Sequence, residues 1–246
     1  MVTRPRDQAA GLAALIEAAG GRALVYPAIE IEDLADLAPV LRLIERLELF
    51  DFAIFVSPSA VQKGLALIER HGKWPTGLRA AAIGRGSRDE LARHGIPGAL
   101  VPESGADSEA LLALPELASV AGKRIVIFRG EGGRELLGET LSARGARVEH
   151  AACYRRSPPR IDVGPLLAAW AKGAVHAVTV SSATGLGNLL AMLGEPGRGL
   201  LGGTPFFVPH PRVAEQARRL GVRTAVVAGP ADAELVERLV AYFDEP

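Results

Sequence analysis

The 246-residue chain repeats itself, with a shift of about 125 positions between the two copies. Residues 2–25 match residues 127–148, and each copy predicts a strand, a turn with an arginine, a helix, a glycine stop and another strand. The two arginines are Arg4 and Arg129. Such a repeat predicts two structural units of similar build.

The rest of each half is repeated as well. The apolar strand Phe52–Val56 and its following helix match residues 177–192, and residues 79–95 match residues 205–221. We label the first pair of matching segments a and a′, and the second pair b and b′. The chain therefore runs in the order a, b, a′, b′.

Short aliphatic strands alternate with helices along both halves, which predicts βαβ units and parallel sheets covered on both faces. We therefore expect an α/β fold of two similar doubly wound, flavodoxin-like domains. Proline and charge at residues 26–33 and 151–159 indicate extended connectors between them. The pattern leaves open whether a joins b in a tandem arrangement or b′ in a crossed one.

Composition excludes several classes of protein. Lys+Arg and Asp+Glu both number 28, so no net field attracts nucleic acid or an anionic membrane. The single cysteine, Cys153, excludes an internal disulfide, and no His/Cys cluster has metal-ligand spacing. No secretion signal follows Met1, and no apolar run reaches the roughly 18 residues of a membrane span. These features predict a soluble, cytoplasmic protein, which we take to be a monomer.

Several short motifs recur in a fixed order: Thr3-Arg4-Pro5, Phe55-Val56-Ser57-Pro58-Ser59-Ala60-Val61, Ala82-Ile83-Gly84, residues 122–130, Tyr154-Arg155-Arg156 and Thr179-Val180-Ser181-Ser182. Together they resemble the uroporphyrinogen-III synthase family along essentially the whole chain. The resemblance implies the crossed arrangement, with the active site in a cleft between the domains. One discontinuous domain would comprise residues 1–30 and 160–246, a second residues 38–150, and connector strands residues 31–37 and 151–159. Members usually carry a few more residues before Thr-Arg-Pro, so a short first strand and a late start at Met1 are expected.

The resemblance also implies a reaction. Hydroxymethylbilane, a linear tetrapyrrole with many carboxylates, would be cyclised to uroporphyrinogen III with inversion of ring D and loss of water, in haem, sirohaem and cobalamin biosynthesis. Such a hydro-lyase needs neither cofactor nor metal. Transient contact with hydroxymethylbilane synthase, the preceding enzyme, is a partner hypothesis that the sequence leaves open.

Candidate substrate-binding residues follow the strands, because ligands of open α/β sheets bind outside the carboxyl ends of the strands. Hydroxyls can donate to carboxylates, glycines let backbone amides approach closely, and arginines form bidentate pairs. The candidates are Arg4, Ser57, Ser59, Gly84, Arg129, Gly130, Ser181, Ser182, Thr184 and Pro209. The structural alternative is N-capping for the hydroxyls and an ion pair with a neighbouring helix for each arginine.

Tyr154 is the candidate catalytic residue, on resemblance rather than spacing. It matches the Tyr-Arg motif that the family places at a domain connector, and a phenol can give a proton or a hydrogen bond to the leaving hydroxyl. The alternative is an amphipathic ring at a domain edge with a hydrated hydroxyl.

Other functions fit duplicated α/β halves less well. A two-domain binding protein for a small anion, without catalysis, is the main alternative, and its class usually has a secretion signal. A tandem receiver-like regulator needs acidic residues at strand ends, where Arg4, Ser57 and Ser181 stand. A glycosyltransferase would need larger halves and a carboxylate for a nucleotide sugar.

Overall fold

A computed structural model describes Met1–Asp244, apart from the side chain of Asp7. The helices are α1 (Arg6–Ala18), α2 (Ala38–Ile44), α3 (Pro58–His71), α4 (Arg85–Arg93), α5 (Ser108–Leu112), α6 (Pro115–Ala118), α7 (Leu136–Ala143), α8 (Gly164–Ala171), α9 (Ala183–Leu201), α10 (Pro211–Arg219) and α11 (Asp232–Asp244), with a 3-10 turn at Leu47–Leu49. The strands are β1 (Glu30–Glu32), β2 (Phe52–Phe55), β3 (Arg79–Ala82), β4 (Arg124–Gly130), β5 (Arg147–Ser157), β6 (Val178–Thr179), β7 (Phe206–Val208) and β8 (Ala225–Val227).

The chain divides into two compact units. Unit 1 contains Met1–Glu30 and the chain from Ser157 onward, and unit 2 contains Ile31–Arg156. Residues 151–156, part of the expected connector at 151–159, lie in β5 in the sheet of unit 2.

The sheet of unit 2 has the order β1-β5-β4-β2-β3. Strand β2 pairs in parallel with β3 and β4, and β4 pairs in parallel with β5. A parallel bridge from Ala81 to Leu100 extends it beyond β3. All four residues of β2 are buried, as expected for a parallel strand covered on both faces.

Unit 1 contains a second parallel sheet, of order β6-β7-β8. Val2 extends it through parallel bridges to Thr179 of β6 and to Val25. The hydroxyl of Thr3 donates to the carbonyl of Thr179 at 2.7 Å, which strengthens this junction. The N-terminal segment therefore forms one sheet with strands from the C-terminal part of the chain.

Both sheets have the same internal order. In unit 1 it runs Val25, Val2, β6, β7, β8, and in unit 2 it runs β5, β4, β2, β3, Leu100. The first two positions come from segments a and a′, and the other three from b′ and b. Unit 2 is thus a circular permutation of unit 1. The expected α/β class with parallel sheets is confirmed.

Helices cover opposite faces of the sheet in unit 2. Helix α3 packs with Ala53, Phe55 and Phe128 on one face, whereas α7 packs with Ile54 and Ile127 on the other. The rings of Phe55 and Phe128 stack at 4.7 Å with an interplanar angle of 9°. Along the described residues, no helix combines the length and apolar character needed to span a membrane.

Gly64 of α3 provides a test of this packing. A β-carbon at Gly64 would lie 2.8 Å from the Phe128 ring and 3.2 Å from the Phe55 ring. We expect Gly64→Ala to lower the free energy of unfolding by about 1–3 kcal/mol, because the stacked rings must shift. Urea titration followed by circular dichroism measures the difference.

The matched control is Gly187→Ala in α9. Gly187 is also helical, but it is exposed and a β-carbon there meets no atom within 4 Å. The change should raise stability by about 0.5–1 kcal/mol, since alanine has the higher helix propensity. Equal effects of the two substitutions would contradict this description of the core.

Candidate functional site

The candidate site of unit 2 lies where the chain reverses direction across the sheet. From β2 the chain crosses through α3 to β3 on one side, and from β4 it crosses through α7 to β5 on the other. Adjacent strands whose crossover helices cover opposite faces leave a crevice at their carboxyl ends, where ligands of open α/β sheets bind. Ser57, Arg129, Gly130 and Tyr154 lie at this edge, so four predicted residues are brought together.

Tyr154 reaches this crevice because β5 contains a bulge. Arg129 pairs with Ala152 and Gly130 pairs with Tyr154, which leaves Cys153 as an extra residue in β5. Bulges redirect side chains and are frequent beside active sites. Here both Cys153 and Tyr154 enter the apolar cluster under α3.

The side chain of Tyr154 is fully buried, with 0% of its surface exposed. Its hydroxyl lies 3.0 Å from the Ser57 hydroxyl and accepts a hydrogen bond from Nη2 of Arg156 at 2.7 Å. This environment excludes the alternative of a hydrated hydroxyl at a domain edge.

Gly130 is required by the ring of Tyr154. A β-carbon at Gly130 would lie 2.8 Å from Cε2 and 2.9 Å from Cζ of that ring. Glycine is needed here because the ring of Tyr154 approaches the backbone closely. The φ angle of Gly130 is not positive, so the backbone conformation does not require glycine. Its direct neighbour is a phenol, whereas the sequence suggested a carboxylate of the ligand.

Ser57 has the N-capping role that was the alternative to ligand contact, and it has a second partner within the protein. It is the N-cap of α3, where its hydroxyl accepts a hydrogen bond from the amide of Ala60 at 3.1 Å, and it also contacts the Tyr154 hydroxyl. The positive end of the α3 dipole therefore lies beside the phenol oxygen.

Arg129 is buried and bonded to its own loop. Its Nε donates to the carbonyl of Gly132 at 3.1 Å, and Nη1 donates to Glu135 at 3.0 Å. The same Nη1 lies 3.3 Å from Nδ1 of His150. The guanidinium thus holds residues 130–135 in place, and its ion pair is with the residue that precedes α7.

His150 is a member of the site that sequence reasoning missed. Burial lowers the pKa of its imidazole, the charge of Arg129 lowers it further, and Glu135 opposes both effects. The neutral imidazole is therefore favoured beside the arginine. Its position in β5 opposite Ile127 gives no sequence signal beyond strand alternation.

A cavity of about 170 Å³ opens at this edge, and we name it the switch-point cavity. Its lining residues are Val56, Ile83, Ser108, Ile127, Arg129, Gly130, Gly132, Gly133, Arg134, Leu137, Gly138, His150 and Arg156. Three guanidinium groups and one imidazole line it, and no carboxylate is among the lining residues. Because the chain has no net charge, this local positive lining is what can attract an anion.

Arg156 is the last residue of the Tyr154-Arg155-Arg156 motif, but the sequence did not mark it as a site residue. It lies two positions after Tyr154 in β5, and side chains at that spacing share one face of a strand. This periodicity is the signal that could have identified it.

Two other predicted residues of unit 2 are placed differently. Gly84 is the buried N-cap of α4, and a β-carbon there would meet Ala106 at 3.0 Å. Ser59 is buried in the first turn of α3. Neither residue lines the switch-point cavity.

Unit 1 has an equivalent edge, where Val2 and β6 are adjacent. Arg4 follows Val2 and forms an ion pair of 2.5 Å with Asp232, the first residue of α11. The structural alternative for Arg4, an ion pair with a helix, is therefore present.

The remaining predicted residues also lie in unit 1. Ser182 is the N-cap of α9 and accepts from the amide of Gly185 at 3.1 Å. Ser181 and Thr184 are exposed beside it, and half-buried Pro209 precedes His210, the N-cap of α10. Within Met1–Asp244, leaving aside Asp7, no group of three His, Cys, Asp or Glu side chains is arranged to hold a metal ion.

Most of the chain matches a known protein family. A family model described as uroporphyrinogen-III synthase HemD matches residues 10–237. This chain belongs to the uroporphyrinogen-III synthase family.

Relatives within the uroporphyrinogen-III synthase family extend over the same length. The uroporphyrinogen-III synthase of Salmonella typhimurium is 36% identical over 97% of this chain and 98% of its own. That of Escherichia coli is 34% identical over the same shares.

Solved structures from the uroporphyrinogen-III synthase family have the same fold. A mutant enzyme from Thermus thermophilus aligns over 100% of this chain and 98% of its own, with a TM-score of 0.66 and 19% identity. The Helicobacter pylori protein aligns over 91% of this chain and 94% of its own, with a TM-score of 0.60 and 14% identity.

The bulge in this member of the uroporphyrinogen-III synthase family buries its single cysteine, Cys153, and so predicts a thiol of low reactivity. Burial raises the pKa of the Cys153 thiol to about 12. At pH 8 the thiolate is then on the order of 10³-fold scarcer than for a free cysteine.

We expect iodoacetamide to label native Cys153 at least that much more slowly than the chain unfolded in guanidinium chloride. Intact-mass spectrometry measures both rates. Fast labelling of the native protein would show that β5 and α3 do not enclose this thiol.

Proposed function

We propose that this chain is a uroporphyrinogen-III synthase that acts on hydroxymethylbilane. The product would be uroporphyrinogen III with ring D inverted, formed with loss of water, and the reaction class that of a hydro-lyase. The cytoplasm is the proposed compartment, and haem, sirohaem and cobalamin synthesis the proposed use. The observation that carries the proposal is the Tyr154 hydroxyl, which Ser57 and Arg156 hold beside a cavity lined by cations.

Recognition of the substrate depends on its carboxylates. In unit 2 the switch-point cavity offers guanidinium groups to one of them. In unit 1 the exposed hydroxyls of Ser181 and Thr184 stand at the first turn of α9, whose dipole favours anions. Arg4 and Arg129 act mainly by fixing their loops, because both are engaged in ion pairs.

Chemistry begins with departure of the terminal hydroxyl. Tyr154 gives its proton to that oxygen as the carbon–oxygen bond breaks, so that water leaves and a protonated azafulvene, an azafulvenium cation, forms beside the phenolate. The resulting phenolate is stabilised by the Ser57 hydroxyl and by the positive end of α3.

Ring closure then follows at the substituted carbon of ring D. The spiro-pyrrolenine fragments, ring D turns over, and reclosure releases a proton that restores the phenol of Tyr154. No electron is gained or lost overall, so the sequence of steps is redox-neutral. The contribution of the protein is mainly orientation, because an unconstrained azafulvene closes to the uninverted isomer.

The first test identifies the isomer that is formed. Hydroxymethylbilane synthase supplies the substrate from porphobilinogen, this protein is added, and the oxidised products are separated by chromatography. We expect uroporphyrin III to dominate, since ring D is inverted before closure. If folded protein leaves only isomer I, the enzyme proposal is wrong and a non-catalytic anion-binding protein becomes the better assignment.

The second test removes the phenol hydroxyl. Tyr154→Phe should lower kcat about 10²-fold, the low end for loss of a general acid, rather than abolish turnover, because the pyrrole can still expel the hydroxyl. Stopped assays of isomer III formation measure the change.

Tyr26→Phe is the matched control. The Tyr26 hydroxyl donates to the carbonyl of Asp162 at 2.9 Å within unit 1 and has no part in the proposed chemistry. It should retain full activity. A Tyr154→Phe enzyme with the same kcat as this control would exclude Tyr154 as the acid.

A further inference from the structure

The three arginines that line the switch-point cavity differ in how far their charges are neutralised. Arg129 pairs with Glu135 at 3.0 Å, and Arg134 pairs with Glu109 through two hydrogen bonds, of 2.7 Å and 3.2 Å. Among the side chains that the structure describes, Arg156 has no carboxylate partner and donates only to the Tyr154 hydroxyl. It is therefore the cation of this cavity whose charge is available to an incoming anion.

Arg156 also covers the phenol. Its guanidinium carbon lies 5.2 Å from the centroid of the Tyr154 ring, and its side chain is exposed while that ring is fully buried. Arg156 contacts the Tyr154 hydroxyl and also lines the switch-point cavity, whereas Tyr154 itself is not among the lining residues.

The same contact limits where the tyrosine proton can point. A guanidinium only donates hydrogen bonds, so Arg156 occupies a lone pair of the phenol oxygen, and the Ser57 hydroxyl at 3.0 Å is an acceptor within reach of the phenol O–H. If Arg156 withdraws, Ser57 can donate to the phenol instead. The phenol proton is then free to point into the cavity.

We propose that Arg156 is a positioning residue that couples carboxylate binding in the switch-point cavity to exposure of the Tyr154 hydroxyl. A substrate carboxylate draws the guanidinium into a bidentate pair, which is stronger than its single bond to a neutral phenol. This inference rests on the proposed function and adds an order of events to it. The acid becomes available only after the bilane is seated, which suppresses premature departure of the hydroxyl and closure to isomer I.

One test measures catalysis. Arg156→Gln should lower kcat/KM roughly 10- to 100-fold, as for loss of a charge-assisted pair, and should raise the fraction of isomer I. Arg156→Lys keeps the charge without the bidentate geometry. It should restore KM in part, but the fraction of isomer I should stay raised. Arg155→Gln is the matched control, since Arg155 is the adjacent exposed arginine and pairs with Glu32. Thermal melts verify that all three variants are folded.

A second test measures exposure of the phenol without turnover. Tetranitromethane nitrates accessible tyrosines, and mass spectrometry separates Tyr26, Tyr154 and Tyr242. Tyr154 should resist nitration in the wild type and become reactive in Arg156→Ala, whereas the other two stay unchanged. Propionate should increase nitration of Tyr154 in the wild type but not in Arg156→Ala, and propionamide should have no effect.

The outcomes separate the two proposals. A wild type that forms no isomer III defeats the proposed function, while nitration still reports whether Arg156 covers Tyr154. A wild type that forms isomer III, with Arg156→Gln as active and as faithful as Arg155→Gln, overturns the coupling alone. Nitration of Tyr154 that neither Arg156→Ala nor propionate alters also overturns it.

Discussion

The parallel pairing of β2 with β4 is the constraint on which the site depends. The two strands are far apart in the chain, yet Phe55 pairs with Phe128 and their rings stack under α3. Parallel neighbours cannot be joined by a tight turn, so each strand continues into its own crossover helix. Because α3 and α7 cover opposite faces, a crevice opens at the shared carboxyl edge.

Placement of the tyrosine in that crevice depends on a second local feature. One extra residue in β5 brings Tyr154 opposite Gly130, where the absence of a β-carbon lets the ring lie against the backbone. Burial in this position leaves the hydroxyl with protein partners on two sides. The bulge therefore determines both the orientation of Tyr154 and the low reactivity expected of Cys153.

Electrostatics in this protein are local. The chain carries no net charge, and two of the three arginines that line the cavity are paired with carboxylates: Arg129 with Glu135 in its own loop and Arg134 with Glu109 of α5. Such pairs order the loops around the cavity without creating a general anion-binding surface. Binding of an anionic substrate then depends on the few N–H groups and hydroxyls that remain available, which favours selectivity over raw affinity.

The sequence by itself determined the α/β class, the repeat and the strand ends that carry Ser57, Arg129 and Ser182, because hydrophobic periodicity and capping preferences are local properties. The sequence also identified Tyr154 as a candidate catalytic residue, through the resemblance of its Tyr-Arg motif to that of the family. Only the tertiary structure decided that Arg129 would be bound by its own loop and that Arg156 would cover Tyr154. It also decided that Ser59 and Gly84 would be buried away from the cavity. These outcomes depend on which elements pack together, since the partners of a side chain come from strands and helices that are distant in the chain.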